Sequence, residues 1–300
     1  MKNRYLSFFL IFLLSSFVFG VKVSVPVGPA SLPVFYLQEN SNGAVEASIH
    51  KDRNIVISKL MQNEVDIALL PTNEAIKLYN KGVDIKILNI HTWGVFYLLT
   101  TNSEINSWSD LSGKEVYVPD KGGPMDILFS FVTDFYGVNN IKIKRGKPNQ
   151  IAQLMINDMA DTAFLREPFV TSILLKNKKA IICEDVQKDW YEISGIELPQ
   201  ASLVVRTTFL KDNKELVEDF NEDYSKAIDW VNSNIDEASK LGMKYMNISD
   251  KVTKASVERL NLRFKDAHDA KDEIEKYLKV LYDFNKESIG GKMPDDEFYY

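Results

Sequence analysis

Leu60-Met61-Gln62-Asn63-Glu64-Val65-Asp66-Ile67-Ala68-Leu69-Leu70-Pro71-Thr72-Asn73-Glu74-Ala75 holds a helix end, a buried strand and a helix start in one run. Val65 to Leu70 is apolar at every position but Asp66, the pattern of a strand covered on both faces. Pro71 ends the strand, Thr72 or Asn73 caps the next helix, and Gly82 closes it. Upstream, Val21, Val23, Val25 and Val27 alternate with Lys22, Ser24 and Pro26, which is a period-two strand. Gly28-Pro29-Ala30-Ser31 breaks that strand and leads into a helix from Leu32 to Glu39. Ala44 to Ile49 reads as a strand, Arg53 to Gln62 as a helix, and Ile85 to Ile90 and Gly94 to Thr101 as strands. Such alternation predicts an α/β fold with a mostly parallel sheet and helices on both faces.

A second unit of the same kind follows. Trp108-Ser109-Asp110-Leu111-Ser112-Gly113-Lys114 leads into a strand at Glu115 to Val118, and Pro119 to Pro124 is a loop with adjacent glycines. Met125 to Tyr136 is helical, with Ile127, Leu128, Phe131, Val132 and Phe135 on one side. Strand, helix, strand, helix and strand then continue to Cys183, and Ala201 to Val205 is a further strand. From Asp212 to about Lys286 the chain reads as helical and heavily charged.

This layout divides the chain into a first lobe at residues 21–101, a second at 102–199, and a mostly helical return to lobe one at 200–300. Two connections, near residues 100–102 and 199–203, would join the lobes, an arrangement that lets a cleft open and close around a ligand.

Composition narrows the chemistry. The chain has 300 residues, a net charge of −6 and 45% apolar residues, enough for two domains. The acidic balance argues against nucleic-acid binding. A single cysteine, Cys183, excludes an intrachain disulfide and a multi-cysteine zinc site. His50, His91 and His268 have no metal-ligand spacing, so neither a metal nor a cofactor is expected. No nucleophile elbow, phosphate-binding loop or dinucleotide fingerprint is present, so binding is favoured over catalysis. Met1 to Gly20 reads as a cleaved secretory signal, with Lys2 and Arg4 ahead of an apolar run from Leu6 to Phe19. An uncleaved anchor is the alternative reading. Cleavage near residue 20 leaves 34 basic against 42 acidic residues in an exported chain, and no cysteine near the cut supports a lipoprotein.

Several segments together resemble a known family. They are Val27-Gly28-Pro29-Ala30-Ser31-Leu32-Pro33, the run from Leu60 to Ala75 quoted above, and Trp108 to Lys114 with Val116. Gly122-Gly123-Pro124 and Ala160-Asp161-Thr162-Ala163 with Glu167-Pro168-Phe169 complete the set. The chain resembles type II periplasmic solute-binding proteins of the nitrate, sulfonate, taurine and thiamine-precursor branch, the NMT1/THI5-like group. That resemblance implies a two-lobed receptor, a small-molecule solute and the membrane permease of an ABC importer as partners, and a monomer in the periplasm or extracytoplasmic space. This sequence departs from the family at Asn63, where Gly is common, and at Gly122-Gly123-Pro124, where a hydroxyl residue often follows the first glycine.

The cleft should be lined by loops that follow strands and open helices, where backbone N–H groups are free. Lobe one offers Ser31, Thr72 and Asn73, and Trp93 as an aromatic wall. Lobe two offers Gly122, Gly123 and Met125, Arg166 for an anionic group, and Glu167 for an amino or ring N–H group. The resemblance implies that the Glu-Pro loop lies at the cleft. Each has a plain alternative: helix capping for the loops, a tight turn for the glycines, core packing for Trp93, and surface pairing for Arg166 and Glu167. His91 reads as a core histidine. A sensing protein of a signalling system, or an exported enzyme of the same fold, are the alternative functions.

Overall fold

The computed structural model describes residues 20–300, so the secretory signal expected at Met1 to Gly20 lies, apart from Gly20, outside the described residues. The first lobe opens with β1 (Val21–Pro26), a 3-10 turn at Pro29–Ser31 and α1 (Leu32–Asn40). It continues with β2 (Val45–His50), α2 (Arg53–Met61), β3 (Ile67–Pro71), α3 (Thr72–Asn80) and β4 (Ile85–Trp93). The chain then crosses to β5 (Phe96–Thr100), β6 (Glu115–Tyr117), α4 (Pro124–Phe135), β7 (Lys142–Lys144) and α5 (Pro148–Ile156). Next come β8 (Thr162–Arg166), α6 (Phe169–Lys176), β9 (Ile181–Asp185) and α7 (Val186–Ser194). It returns through β10 (Pro199–Arg206), α8 (Thr207–Asp212), α9 (Lys214–Ser233), α10 (Ile235–Met246), α11 (Asp250–Val257), β11 (Leu262–Asp266) and α12 (Lys271–Phe284).

These strands form two sheets, one per lobe. The first has the order β11-β4-β10-β3-β1-β2 and the second β7-β6-β8-β5-β9. The two-lobed α/β expectation therefore holds, but both sheets are mixed rather than mostly parallel. The strands β1, β2 and β3 pair in parallel, as do β6, β7 and β8. Antiparallel pairing comes from β10, between β3 and β4, from β5, between β8 and β9, and from the edge strand β11 on β4. β10, which enters the first sheet from the other lobe, runs against both strands it joins.

The lobe boundary differs from the expected one. Phe96–Thr100 pairs with β8 and β9, so the first crossing is Gly94–Val95 and not residues 100–102. The second lies between α7 and Pro199, which pairs with Trp93 in the first sheet. Phe96 to Leu99 is apolar throughout because both faces of β5 are covered: Phe96 and Leu98 face one core, Tyr97 and Leu99 the other. Such a run fits either sheet, and only Gly94 marks where one ends.

β11 is a strand that the charged helical reading of the return segment missed. It pairs antiparallel with β4 at the sheet edge. The return segment also packs on both lobes, not on lobe one alone. On α12, Tyr277 meets Trp190 of α7 edge-to-face at 6.1 Å, and Lys276 Nζ donates to the Ser194 carbonyl at 2.5 Å.

The exception in the opening run, Asp66, is explained by what surrounds it. Its carboxylate accepts from the Lys22 amide at 2.9 Å and from Arg206 Nη2 at 2.7 Å, while Arg206 Nε donates to the Val65 carbonyl at 2.8 Å. A carboxylate that is buried must be paired, and this one joins β1, β3 and β10 at the sheet end. No helix among the described residues is long and apolar enough to cross a membrane.

Candidate functional site

Two chambers open between the lobes. The larger, about 630 Å³, is walled on the lobe-one side by the Val27–Ser31 loop, by Lys51–Asn54 at the start of α2, and by Thr92 and Gln200. Arg166 to Phe169 and the crossing residue Val95 complete it. The smaller, about 470 Å³, lies between Asn73, Glu74 and Lys77 of α3 and the Gly122–Pro124 turn, with Asn285 on its rim. Asn54 borders both.

Among the expected residues, Ser31, Arg166 and Glu167 line the larger chamber, and Asn73, Gly122 and Gly123 the smaller. The others are placed differently. Trp93 is fully buried; its Nε1 donates to the Arg263 carbonyl at 2.8 Å and the Arg263 guanidinium covers the ring at 5.0 Å. It has no face for a ligand. Met125 and Thr72 are buried and line neither chamber; Met125 packs in the core.

Glu167 borders the chamber but is already engaged. Its side chain has no exposure; one carboxylate oxygen accepts from Arg259 Nε at 2.5 Å and from Thr171 Oγ1 at 2.9 Å, the other from the Thr171 amide at 3.1 Å. Arg259 also donates to Thr171 Oγ1. Burial pushes the Glu167 carboxyl up, and the Arg259 bond opposes it. Since Arg259 sits in the turn before β11, this is an ion pair between lobes and not a ligand group.

The paired glycines serve a turn. Gly122 has φ +73°, its amide donates to Asp126 Oδ2 at 2.8 Å and its carbonyl accepts from Asn285 Nδ2 at 3.1 Å. The Gly123 amide donates to the Asp120 carbonyl at 2.8 Å, and a Cβ at 123 would lie 2.9 Å from that oxygen. Both amides are thus used within the chain, which favours the tight-turn reading.

Arg166 behaves otherwise. Among the described residues no ion pair or side-chain hydrogen bond engages its guanidinium, and its pKa is lowered by burial first and then by the charge of Arg53. Thr92 Oγ1 and Gln200 Oε1, in the same wall, also lack a partner in the chain. Buried polar groups are nearly always paired, so Thr92 Oγ1 and Gln200 Oε1, unpartnered beside the half-buried Arg166, set this wall apart from the rest of the interior. Thr92, Gln200 and Arg53 were not expected. Arg53 follows the same strand–loop–helix rule as the loops that were, since it opens α2 directly after β2.

The pair of mixed sheets, joined by two crossings with a chamber between them, defines the two-lobed periplasmic binding protein fold. An ABC transporter protein from Parabacteroides distasonis shares it with TM-score 0.83 at 23% identity, over 94% of this chain and 98% of that one. The periplasmic aliphatic sulphonate binding protein SsuA of Escherichia coli aligns with TM-score 0.72 at 14% identity, over 88% and 92%. A ligand binding component of an ABC-type import system from Staphylococcus aureus, solved with zinc bound, aligns with TM-score 0.70 at 15% identity, over 93% and 96%. A family model described as NMT1/THI5 like matches residues 96–238, from β5 into α10, in agreement with the resemblance read from the sequence. None of the curated proteins matches this chain.

Proposed function

We propose that this chain is an exported solute-binding protein that captures a small organic solute between its lobes and presents the closed form to the membrane permease of an ABC importer. The observation that carries this reading is Arg166: a cation without a protein partner in the wall of a chamber built by both lobes. Folding gains nothing from a half-buried charge that no protein group pairs, so a ligand accounts for it better than stability does. The solute is held and released unchanged. Closure follows because only a ligand touching both lobes binds the closed form better than the open one.

Native mass spectrometry of protein purified without refolding, followed by a thermal-shift screen of transported solutes, tests the reading. A ligand at about 100 times its Kd adds about 2.7 kcal/mol of apparent stability. The bound solute should be recovered intact after long incubation, and the radius of gyration should fall when it binds. A solute that is chemically converted, or that leaves the radius unchanged, removes the receptor role.

A further inference from the structure

We infer that Asn285, in the turn after α12, is a catch that holds the two lobes together at the rim of the cleft, and that releasing it opens the cleft without unfolding either lobe. This goes beyond the receptor reading, since the contact is between protein groups alone. α12 follows β11 of the first sheet, yet it lies along α4 and α7 of lobe two. Beside the second crossing, Lys276 and Tyr277 meet Ser194 and Trp190. At the far end of the helix, Asn285 and the Gly122 turn stand together on the rim of the smaller chamber. From Tyr277 to Asn285 the helix rises about 12 Å.

The Asn285 side chain is aimed by its own turn. Its Oδ1 accepts from the Glu287 amide at 3.2 Å and caps the 3-10 turn Lys286–Ile289, which leaves Nδ2 to donate to the Gly122 carbonyl at 3.1 Å. That turn is fastened to lobe one. Asn80, the last residue of α3, donates from Nδ2 to the Ile289 and Lys292 carbonyls, each at 2.7 Å. Gly290, at φ +83°, lies so close to α3 that a Cβ there would stand 3.0 Å from Asn80 Cβ. On lobe two the acceptor is fixed as well: the Gly122 amide donates to Asp126, and Asp126 pairs with Arg145 Nη1 at 2.6 Å. Both ends of the bond are half-buried turns outside the sheets, so each lobe keeps its core when the bond breaks. Leverage makes this contact the sensitive one. The Glu167–Arg259 pair sits beside the first crossing, where the Glu167 amide donates to the Val95 carbonyl, and so moves little as the lobes rotate. A point about 12 Å from the axis travels about 2 Å for a rotation of about 10°, which takes the Asn285 amide beyond hydrogen-bond range.

Nitroxide labels on Glu46→Cys of lobe one and Lys142→Cys of lobe two, both exposed positions, report the interlobe distance by double electron–electron resonance in a Cys183→Ser background. The exhaustively dialysed parent should show a main short distance and a minor longer one. Asn285→Asp keeps an oxygen to cap Glu287 but sets a second oxygen against the Gly122 carbonyl. It should raise the ratio of long to short distances about fivefold, the scale of one net hydrogen bond. Asn285→Ser, whose hydroxyl caps the turn but falls short of Gly122, repeats the measurement without the added charge. Asn80→Ala, which frees the turn from lobe one, should open the cleft in the same way. Circular dichroism should show each variant folded like the parent. The proposal is overturned if Asn285→Asp and Asn285→Ser keep the parent's distances, because a residue that only caps its turn tolerates both changes. It is also overturned if the distances lengthen only where the helical signal is lost. No solute enters this measurement. Unmoved distances therefore remove the catch and leave the receptor reading to its solute screen, and a failed screen with moved distances does the reverse.

Discussion

Glu167 and Arg259 show how a residue's role depends on a partner far away in the chain. Residue 167 follows β8 and residue 259 precedes β11, yet their ion pair ties one lobe to the other with the carboxylate fully buried. Removing only the cation leaves a buried charge without a partner, which costs about 3–5 kcal/mol. Arg259→Ala should therefore lower the urea midpoint strongly, while Glu167→Gln/Arg259→Met, which removes both charges, should recover most of the loss. A double variant as unstable as the single one would mean that packing, not charge, is what Arg259 provides. His91 supplies a second residue-scale case. It is fully buried on β4, stacked edge-on against Tyr224 at 5.4 Å, and burial lowers its pKa from 6.5 to about 3. The folded state holds the neutral ring, so its contribution is complete above pH 6.5 and is lost below it at about 1.4 kcal/mol per pH unit. Asp189 opposes this trend. Burial raises its carboxyl from 3.8 to about 6, so its contribution is complete below 3.8 and is lost as pH rises through 6. Relative to the parent, His91→Phe should gain stability on acidification from pH 7 to 4.5, and Asp189→Asn should lose it. Denaturant melts at the two pH values check both signs.

At the scale of elements, the crossing between β4 and β5 is a constrained piece of backbone beside the cleft. Gly94 and Val95 both have positive φ, +77° and +69°. Glycine takes that conformation freely, whereas a β-branched residue does so only under strain. The Gly94 amide donates to the Leu198 carbonyl at 2.9 Å, the Val95 carbonyl accepts from the Glu167 amide at 3.1 Å, and the Leu198 amide donates to Gln187 Oε1 at 3.1 Å. A Cβ on residue 94 would lie 2.6 Å from Gln187 Cβ. Gly94→Ala should thus destabilise by about 1–3 kcal/mol, through both the φ and the clash. Gly94→Ala/Gln187→Gly should recover only the clash. A Gly94→Ala variant that melts like the parent would show that the crossing adjusts freely. Elements were also where the sequence was most legible. The valine alternation of β1 and the apolar run of β3 follow from side-chain period alone. β11 was hidden because five alternating residues between charged helices carry too little pattern, and because its pairing partner β4 lies far back in the chain.

For the whole molecule, two lobes were legible because the strand–helix rhythm repeats, and the crossing was misplaced because β5 is apolar on both faces. The candidate site was legible in part. The loop rule put Arg166, at the end of a strand, on the chamber wall where the structure has it. Trp93 and Glu167 were not distinguishable from ligand groups, since what occupies them, Arg263 and Arg259, arrives from the return segment. The two passages between lobes run side by side, and the Gly94–Leu198 hydrogen bond ties one to the other. A single strand of backbone permits rotation in any direction, but two that are stapled together share one axis. The jaws of this protein should therefore swing through a single angle with little twist, so that groups facing each other across the gap meet in the same register at every closing.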